Sequence, residues 1–175
     1  ITLSFDAPII NGPGSDFAVF ENAIADSNDP QKLFLELAYV EVTDGTTWAR
    51  FYNDSLTPDP VGAYDKIDPS EIYGYASKHL AGQGTLFDLD LLSASGLDLD
   101  NIIQIRLVDI VGDGTYTDSS GDVIYDPYET FGSAGFDLDA VAVLNQGTAF
   151  VPVPGAVWLM GSGILWLAGL RRRTS

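Results

Sequence analysis

The residues best placed to do chemistry are carboxylates. Asp109 and Asp113 bracket an Ile-Val-Gly run at what reads as a strand end, and Asp118, Asp122 and Asp126 crowd the glycine-bearing loop beyond it. Asp137 and Asp139 stand two apart on the next strand-like run, so both project from one face of it. Calcium takes about six to eight hard oxygens from carboxylates, carbonyls and water, and an aspartate-rich loop with turn-forming glycines can supply them. The pattern is that of a degenerate calcium loop, with Ser120 where a stronger ligand would be expected and without the EF-hand's full ligand spacing. A second cluster would bring Asp16, Glu21 and Asn22 toward Asp137 and Asp139, with Arg50 and Arg106 as alternative partners for the acids. Two explanations stand: a structural Ca2+ ion held by some of these acids, or solvated acidic faces with local salt bridges.

Tyr125 and Tyr128 lie in the same acidic stretch. Their rings could stack on a sugar, or pin a long loop onto the core. Catalytic constellations are scarce. His79 is the single histidine and there is no cysteine, which excludes multi-imidazole metal sites, thiol nucleophiles and zinc-thiolate centres. No Gly-x-Ser-x-Gly elbow accompanies His79. A carboxylate pair for glycoside hydrolysis stays open, but with 25 acids a pair is easily found and singles nothing out. The chain is therefore expected not to be an enzyme.

The elements that must position these residues read as β-structure. The chain has 175 residues, 46% of them hydrophobic, enough for one globular domain and a tail. Thr2 to Phe5 alternates as a half-buried strand should, and Asp16 to Asn22 supplies a second. Lys32 to Thr43 is the longest β signal, with Leu33, Leu35, Leu37, Tyr39 and Glu41 on one face and Phe34, Glu36, Ala38, Val40 and Val42 on the other. Asp44-Gly45 turns it into a returning Thr46 to Tyr52 strand. Leu86 to Ser95 has a short helix pattern, with Phe87, Leu91 and Leu92 on one side, while Asn101 to Val111 and Phe136 to Leu144 read as strands. The expected fold is all-β, a jelly-roll-like β-sandwich over residues 1–148.

Residues 149–175 have a different character. From Val151 to Leu170 no side chain is charged, and Arg171, Arg172 and Arg173 follow at once. Such a stretch is about 30 Å long as a helix, the thickness of a bilayer core, so a single C-terminal transmembrane helix is expected. The arginines would keep the tail cytoplasmic and place the N-terminal domain on the periplasmic or extracellular side of the cell membrane. All 25 acids precede the tail and three of the eight basic residues lie in it, leaving −20 on the domain. That charge argues against nucleic acid and against docking on anionic lipid, and suits divalent cations or solubility. No basic, apolar segment opens the chain, so an export signal is expected to precede it or to have been removed.

The tail Val151-Pro152-Val153-Pro154-Gly155-Ala156-Val157-Trp158-Leu159, its apolar run and its terminal arginines resemble the PEP-CTERM class of bacterial sorting signals, in the variant with a VPLPA-like start. Val153 stands where that class carries glutamate. The resemblance implies an exosortase-type protease as partner and delivery to the cell surface or the extracellular matrix. The stretches Asn11 to Asn22, Leu107 to Gly114 and Ile124 to Asn145 resemble cell-surface ectodomains that precede such tails. The expectation is an exported, membrane-anchored structural or binding protein. Two other roles remain: an accessory subunit of a membrane complex, contacted through Gly155, Gly161, Ser162, Gly163 and Gly169, and a module that binds surface polysaccharide.

Overall fold

A computed structural model describes residues 1–131 and 135–148. Eleven strands follow one another: β1 Thr2–Ile9, β2 Phe17–Glu21, β3 Ile24–Ala25, β4 Leu33–Phe34, β5 Ala38–Thr43, β6 Trp48–Arg50, β7 Asp54–Ser55, β8 Ile72–Tyr73, β9 Thr85–Phe87, β10 Ile102–Asp109 and β11 Leu138–Val143. They form a four-stranded sheet in the order β1-β10-β5-β6, a three-stranded sheet β11-β2-β9, and two small ladders, β3-β4 and β7-β8. Every pairing among them is antiparallel.

The alternation of apolar residues explains how the two larger sheets meet. Leu107 pairs with Val40 and Ile105 with Val42, so these side chains share a face of the four-stranded sheet. With Ala38 they pack in one core with Phe17 and Val19 of β2 and Phe87 of β9. Phe17 lies parallel to Phe87, centroids 5.2 Å apart, and both meet Phe51 edge-on. The opposite face of β5 closes a second core, in which Leu35, Leu37 and Tyr39 meet Ile67, Ile72, Tyr75, Ile110 and Ile124. All six residues of β5 are buried, as two apolar faces require.

Glu41 is the exception on the Tyr39 face. It sits between Arg106 and Arg50 in register, with ion pairs of 2.5 Å and 2.7 Å. The guanidiniums lie over Trp48 and Tyr39, adding cation–π attraction. Burial pushes the Glu41 carboxyl up, but hydrogen bonds and charge from both arginines outweigh it and hold it below its ordinary value. The two arginines serve Glu41 rather than Asp137 or Asp139.

The expectation of a jelly-roll-like sandwich ending in a transmembrane helix is corrected. A jelly roll divides its strands between two sheets, whereas here the strands divide among four. Part of the reason lies in Lys32 to Thr43, which is not one strand. β4 and β5 are separated by Leu35 to Leu37, and the Leu37 N–H goes to the Asp126 carboxylate instead of a neighbouring strand. The released end pairs locally, β4 with β3, and helps to cover the second core. Among the described residues no helix is long and apolar enough to cross a membrane. The helix expected from residues 149–175, with Pro152, Pro154 and the arginine cluster, lies outside the described residues.

The short helix expected over Leu86 to Ser95 is absent. Thr85–Phe87 pairs with β2, and one 3-10 turn, Leu89–Leu92, follows, capped by the Asp88 side chain. Its three-residue period buries Leu89 and Leu92 and leaves Leu91 exposed. Sequence periodicity reads a helix there because apolar spacings of three and four look alike over so short a run.

Candidate metal centre

The core stripes described above end in acids. Asp109 pairs with Ala38, so it continues the Ile105–Leu107 face of β10. Glu36 precedes Ala38 by two residues, and Glu21 follows Val19 by two on β2. Glu36 and Asp109 line a cavity of about 170 Å3 with Asp126, Gly112, Tyr128 and Gly135 among its other walls. Glu36 and Asp126 are buried, and Asp109 is exposed at the rim.

Each of these carboxylates is anchored through one oxygen. Asp126 Oδ2 accepts the Leu37 N–H at 2.9 Å, Glu36 Oε1 the Gly135 N–H at 3.0 Å, and Asp109 Oδ1 the Phe136 N–H at 2.7 Å. The second oxygen of each has no protein hydrogen bond among the described residues. Glycine at position 112 makes room for this, since a Cβ there would fall 2.1 Å from Asp126 Oδ1. Burial, only partly offset by the Leu37 N–H, pushes the Asp126 carboxyl up to about 7, with Asp109, Glu36 and Asp113 adding repulsion. Burial also raises Glu36, opposed by the Gly135 N–H and reinforced by Asp137 and Asp109. Among the described residues the ion pairs are those of Arg50 and Arg106 with Glu41. Among the described residues no cationic side chain neutralises the cavity, and the side-chain donors they offer it are hard oxygens. A divalent cation of calcium's type fits that chemistry.

A second group, Asp54, Asp118 and Asp122, brings its carboxylate oxygens within 4.8 Å of one another. Asp118 is already committed: Oδ2 accepts the Ser55 N–H, and Oδ1 accepts those of Ser120 and Asp122. That acid ties the 118–122 turn to β7, and an ion would have to compete with three amide donors. Asp54 is raised by burial and by its contact with Asp118. Among the described residues these three are the carboxylates that approach one another so closely. The cavity's acids stand farther apart, but each keeps one oxygen without a protein hydrogen bond.

The expected ligands therefore separate. Asp109 and Asp126 meet at the cavity, joined by Glu36. Asp118 and Asp122 form the other group with Asp54. Asp113 is a turn residue whose carboxylate accepts both donors of Thr115. Asp137 bears electrostatically on Glu36, whereas Asp139 is exposed at the irregularity between Leu138 and Ala140. Asp16 is a buried pin that accepts hydrogen bonds from Gly12, Leu89 and Asn145. Tyr128 stands at the cavity rim and Tyr125 lines a separate depression beside Leu56 and Pro58, so the two rings make no common platform. Glu36 and Asp54 were missed as candidate ligands. The signal for Glu36 was present, an acid in phase with Ala38, Val40 and Val42, but Asp54 carries none.

Fold and centre together define a β-rich domain with an uncompensated acidic cavity. No family model matches the chain, and no curated protein or solved structure matches it.

Proposed function

We propose that this chain is the outward-facing domain of an exported surface protein, with a structural or binding role and no catalysis, whose fold is completed by a divalent cation, calcium by preference. The observation that carries it is the convergence of Glu36, Asp109 and Asp126 on one cavity without a basic partner among the described residues. Export is supported by the net charge of −17 and the resemblance of Val151 to Arg173 to a sorting signal. An exosortase-type protease is the partner that resemblance supplies. A calcium-rich exterior would keep such a site filled, so the domain would fold fully only after export.

The thermal midpoint of the metal-free protein, measured with and without millimolar calcium, tests the cation. Saturation at about 100 times Kd adds about 2.7 kcal/mol, and an unchanged midpoint would remove the proposal. Cell fractionation tests the location, since accumulation in the cytoplasm contradicts it.

One observation favours a second role, binding of surface polysaccharide. Tyr52 and Tyr73 are each about half exposed, with ring centroids 6.3 Å apart, and line a depression with Lys78, His79 and Thr85. Exposed rings flanked by polar donors suit a sugar ring. The pair differs from the expected Tyr125 and Tyr128. Glycan binding lost in Tyr73→Ala but kept in Tyr128→Ala would support it.

A further inference from the structure

We propose that the depression beside Tyr52 and Tyr73 takes an acidic sugar, with the Lys78 ammonium receiving the carboxylate of a uronate. This inference rests on the polysaccharide reading of that depression and gives the polysaccharide its charge. Acids are missing from this part of the surface. The depression, of about 190 Å3, is lined by the exposed side chains of Tyr52, Tyr73, Leu86 and Leu91, with Lys78 and His79, and no carboxylate is among its walls. A second depression, of about 350 Å3, shares Lys78 and His79, adds Gln31, Ser70 and Gln83, and again has no acid. By contrast, Glu36, Asp109 and Asp126 wall the cavity described above, Asp26 and Asp65 another depression, and Asp122 the one beside Tyr125.

The lysine has charge to offer. Among the described residues the ion pairs are those of Arg50 and Arg106 with Glu41, so no carboxylate neutralises Lys78. Its ammonium donates to the Ile72 carbonyl and stands 5.9 Å from the centre of the Tyr73 ring. An ammonium carries three donors, which leaves two for a ligand. The rings beside it are set by the main chain. Gly74, at φ +75°, lies so close to Tyr52 that a Cβ there would meet the Tyr52 carbonyl at 2.0 Å. Glycine thus lets the strand carrying Tyr73 approach Tyr52, whose hydroxyl is held by Ser120 at 2.8 Å. Asp54 faces Tyr73 in register but groups with Asp118 and Asp122, and it is not a wall of the depression.

A sugar laid on these rings turns a C–H face toward them and its polar groups outward. A uronate carries its carboxylate at the edge of the sugar ring, where a lysine at the edge of the aromatic pair can meet it. Hydrogen bonds to a charged partner are about twice as strong as neutral ones, so the acid is preferred to the neutral sugar. The net charge of −17 opposes a polyanion, but screening confines that repulsion to about 8 Å at physiological ionic strength, and the walls here hold no acid. Two depressions sharing one lysine suit successive units of a chain. An acidic peptide is the competing occupant, since it offers carboxylates without a flat face for the rings.

A glycan array of neutral oligosaccharides, uronate oligosaccharides and the methyl esters of those uronates, with an oligoglutamate beside them, tests this at constant calcium. Calorimetric titration then measures the affinities. The wild type should bind a uronate about tenfold or more above its methyl ester. Lys78→Gln should abolish that preference, and Tyr73→Ala should lose glycan binding altogether. Where circular dichroism finds Lys78→Gln unfolded, the wild type's own comparison of uronate with methyl ester decides. Equal binding of the two overturns the acidic-sugar site and leaves the polysaccharide reading standing, as does a uronate preference that survives Lys78→Gln. Oligoglutamate bound as tightly as the uronates, and undiminished in Tyr73→Ala, overturns the site in favour of a peptide. An array with no glycan bound overturns both readings.

Discussion

Without calcium, the domain should weaken as the pH rises from about 5 to about 7.5, the reverse of ordinary acid denaturation. Two buried carboxyls set this window. Asp126 is pushed up to about 7 chiefly by burial, as is Glu21, against hydrogen bonds from Leu37 in one case and from Ser77 and Ala23 in the other. In the unfolded chain they titrate near 3.9 and 4.3. Between those values and about 7 the folded state holds protons that the unfolded state has released. Their stabilisation is therefore complete below the unfolded pKa and lost as pH rises through the folded one. About 2.5 kcal/mol per group disappears between pH 5 and 7.5. Shared interactions with Glu36 keep the two from adding in full. At about 2–4 °C per kcal/mol for a chain of this size, the midpoint should fall by at least about 5–10 °C. His79 opposes the trend, because burial and then Lys78 hold its pKa down, but it is exposed and its share is discounted accordingly. A His79→Gln background removes it. Differential scanning calorimetry in chelator supplies the measurement, and saturating calcium should abolish or invert the slope by binding the deprotonated acids. A midpoint that is flat or rising in chelator across this window would refute the account of Asp126 and Glu21 as uncompensated buried acids.

Glu41→Gln should cost about 1–3 kcal/mol in urea denaturation, because it leaves two partly exposed arginines without their common partner. The Glu41 carboxyl is held below its ordinary value, so its contribution is present above the unfolded pKa and lost below it. The difference from wild type should therefore shrink as the pH falls through the lowered value of the folded state. Gly112→Ala should abolish the calcium-dependent rise in the thermal midpoint and destabilise the fold, since the new methyl group meets the Asp126 carboxylate and main chain. A normal calcium response in that variant would place the ion elsewhere.

Much of the sheet structure was legible because alternation alone specifies it. Ala38, Val40 and Val42 oppose Leu35, Leu37 and Tyr39 across the chain as their parity requires, and each set fills its own core. The Asp44-Gly45 hairpin was legible from its turn chemistry, with Gly45 at φ +95°. What the sequence hid depends on contacts distant in the chain. The break after Phe34 follows from the hydrogen bond that the Leu37 N–H donates to the Asp126 carboxylate, 89 residues away, and no local pattern announces it. The division of the aspartates was hidden for the same reason. Asp118 and Asp126 look equivalent along the sequence, yet one is saturated by three backbone amides and the other keeps an oxygen free toward a cavity.

That contrast ranks the positions a cation would take in a chain with 25 acids. Proximity of carboxylates does not decide it, for Asp54, Asp118 and Asp122 are close together and Asp118 is already satisfied. The deciding quantity is the desolvation left uncompensated after the backbone has donated what it can. Asp118 receives three hydrogen bonds and its pKa falls in spite of burial. Asp126 receives one, and its pKa rises to about 7. Asp118→Asn should therefore loosen the 118–122 turn while calcium binding survives, and Asp126→Asn should abolish binding while the turn persists. Heteronuclear NMR of both variants with and without calcium can separate the two effects. If Asp118→Asn abolished calcium binding while Asp126→Asn preserved it, the ion would belong to the other acidic group and free oxygen would not be the determinant.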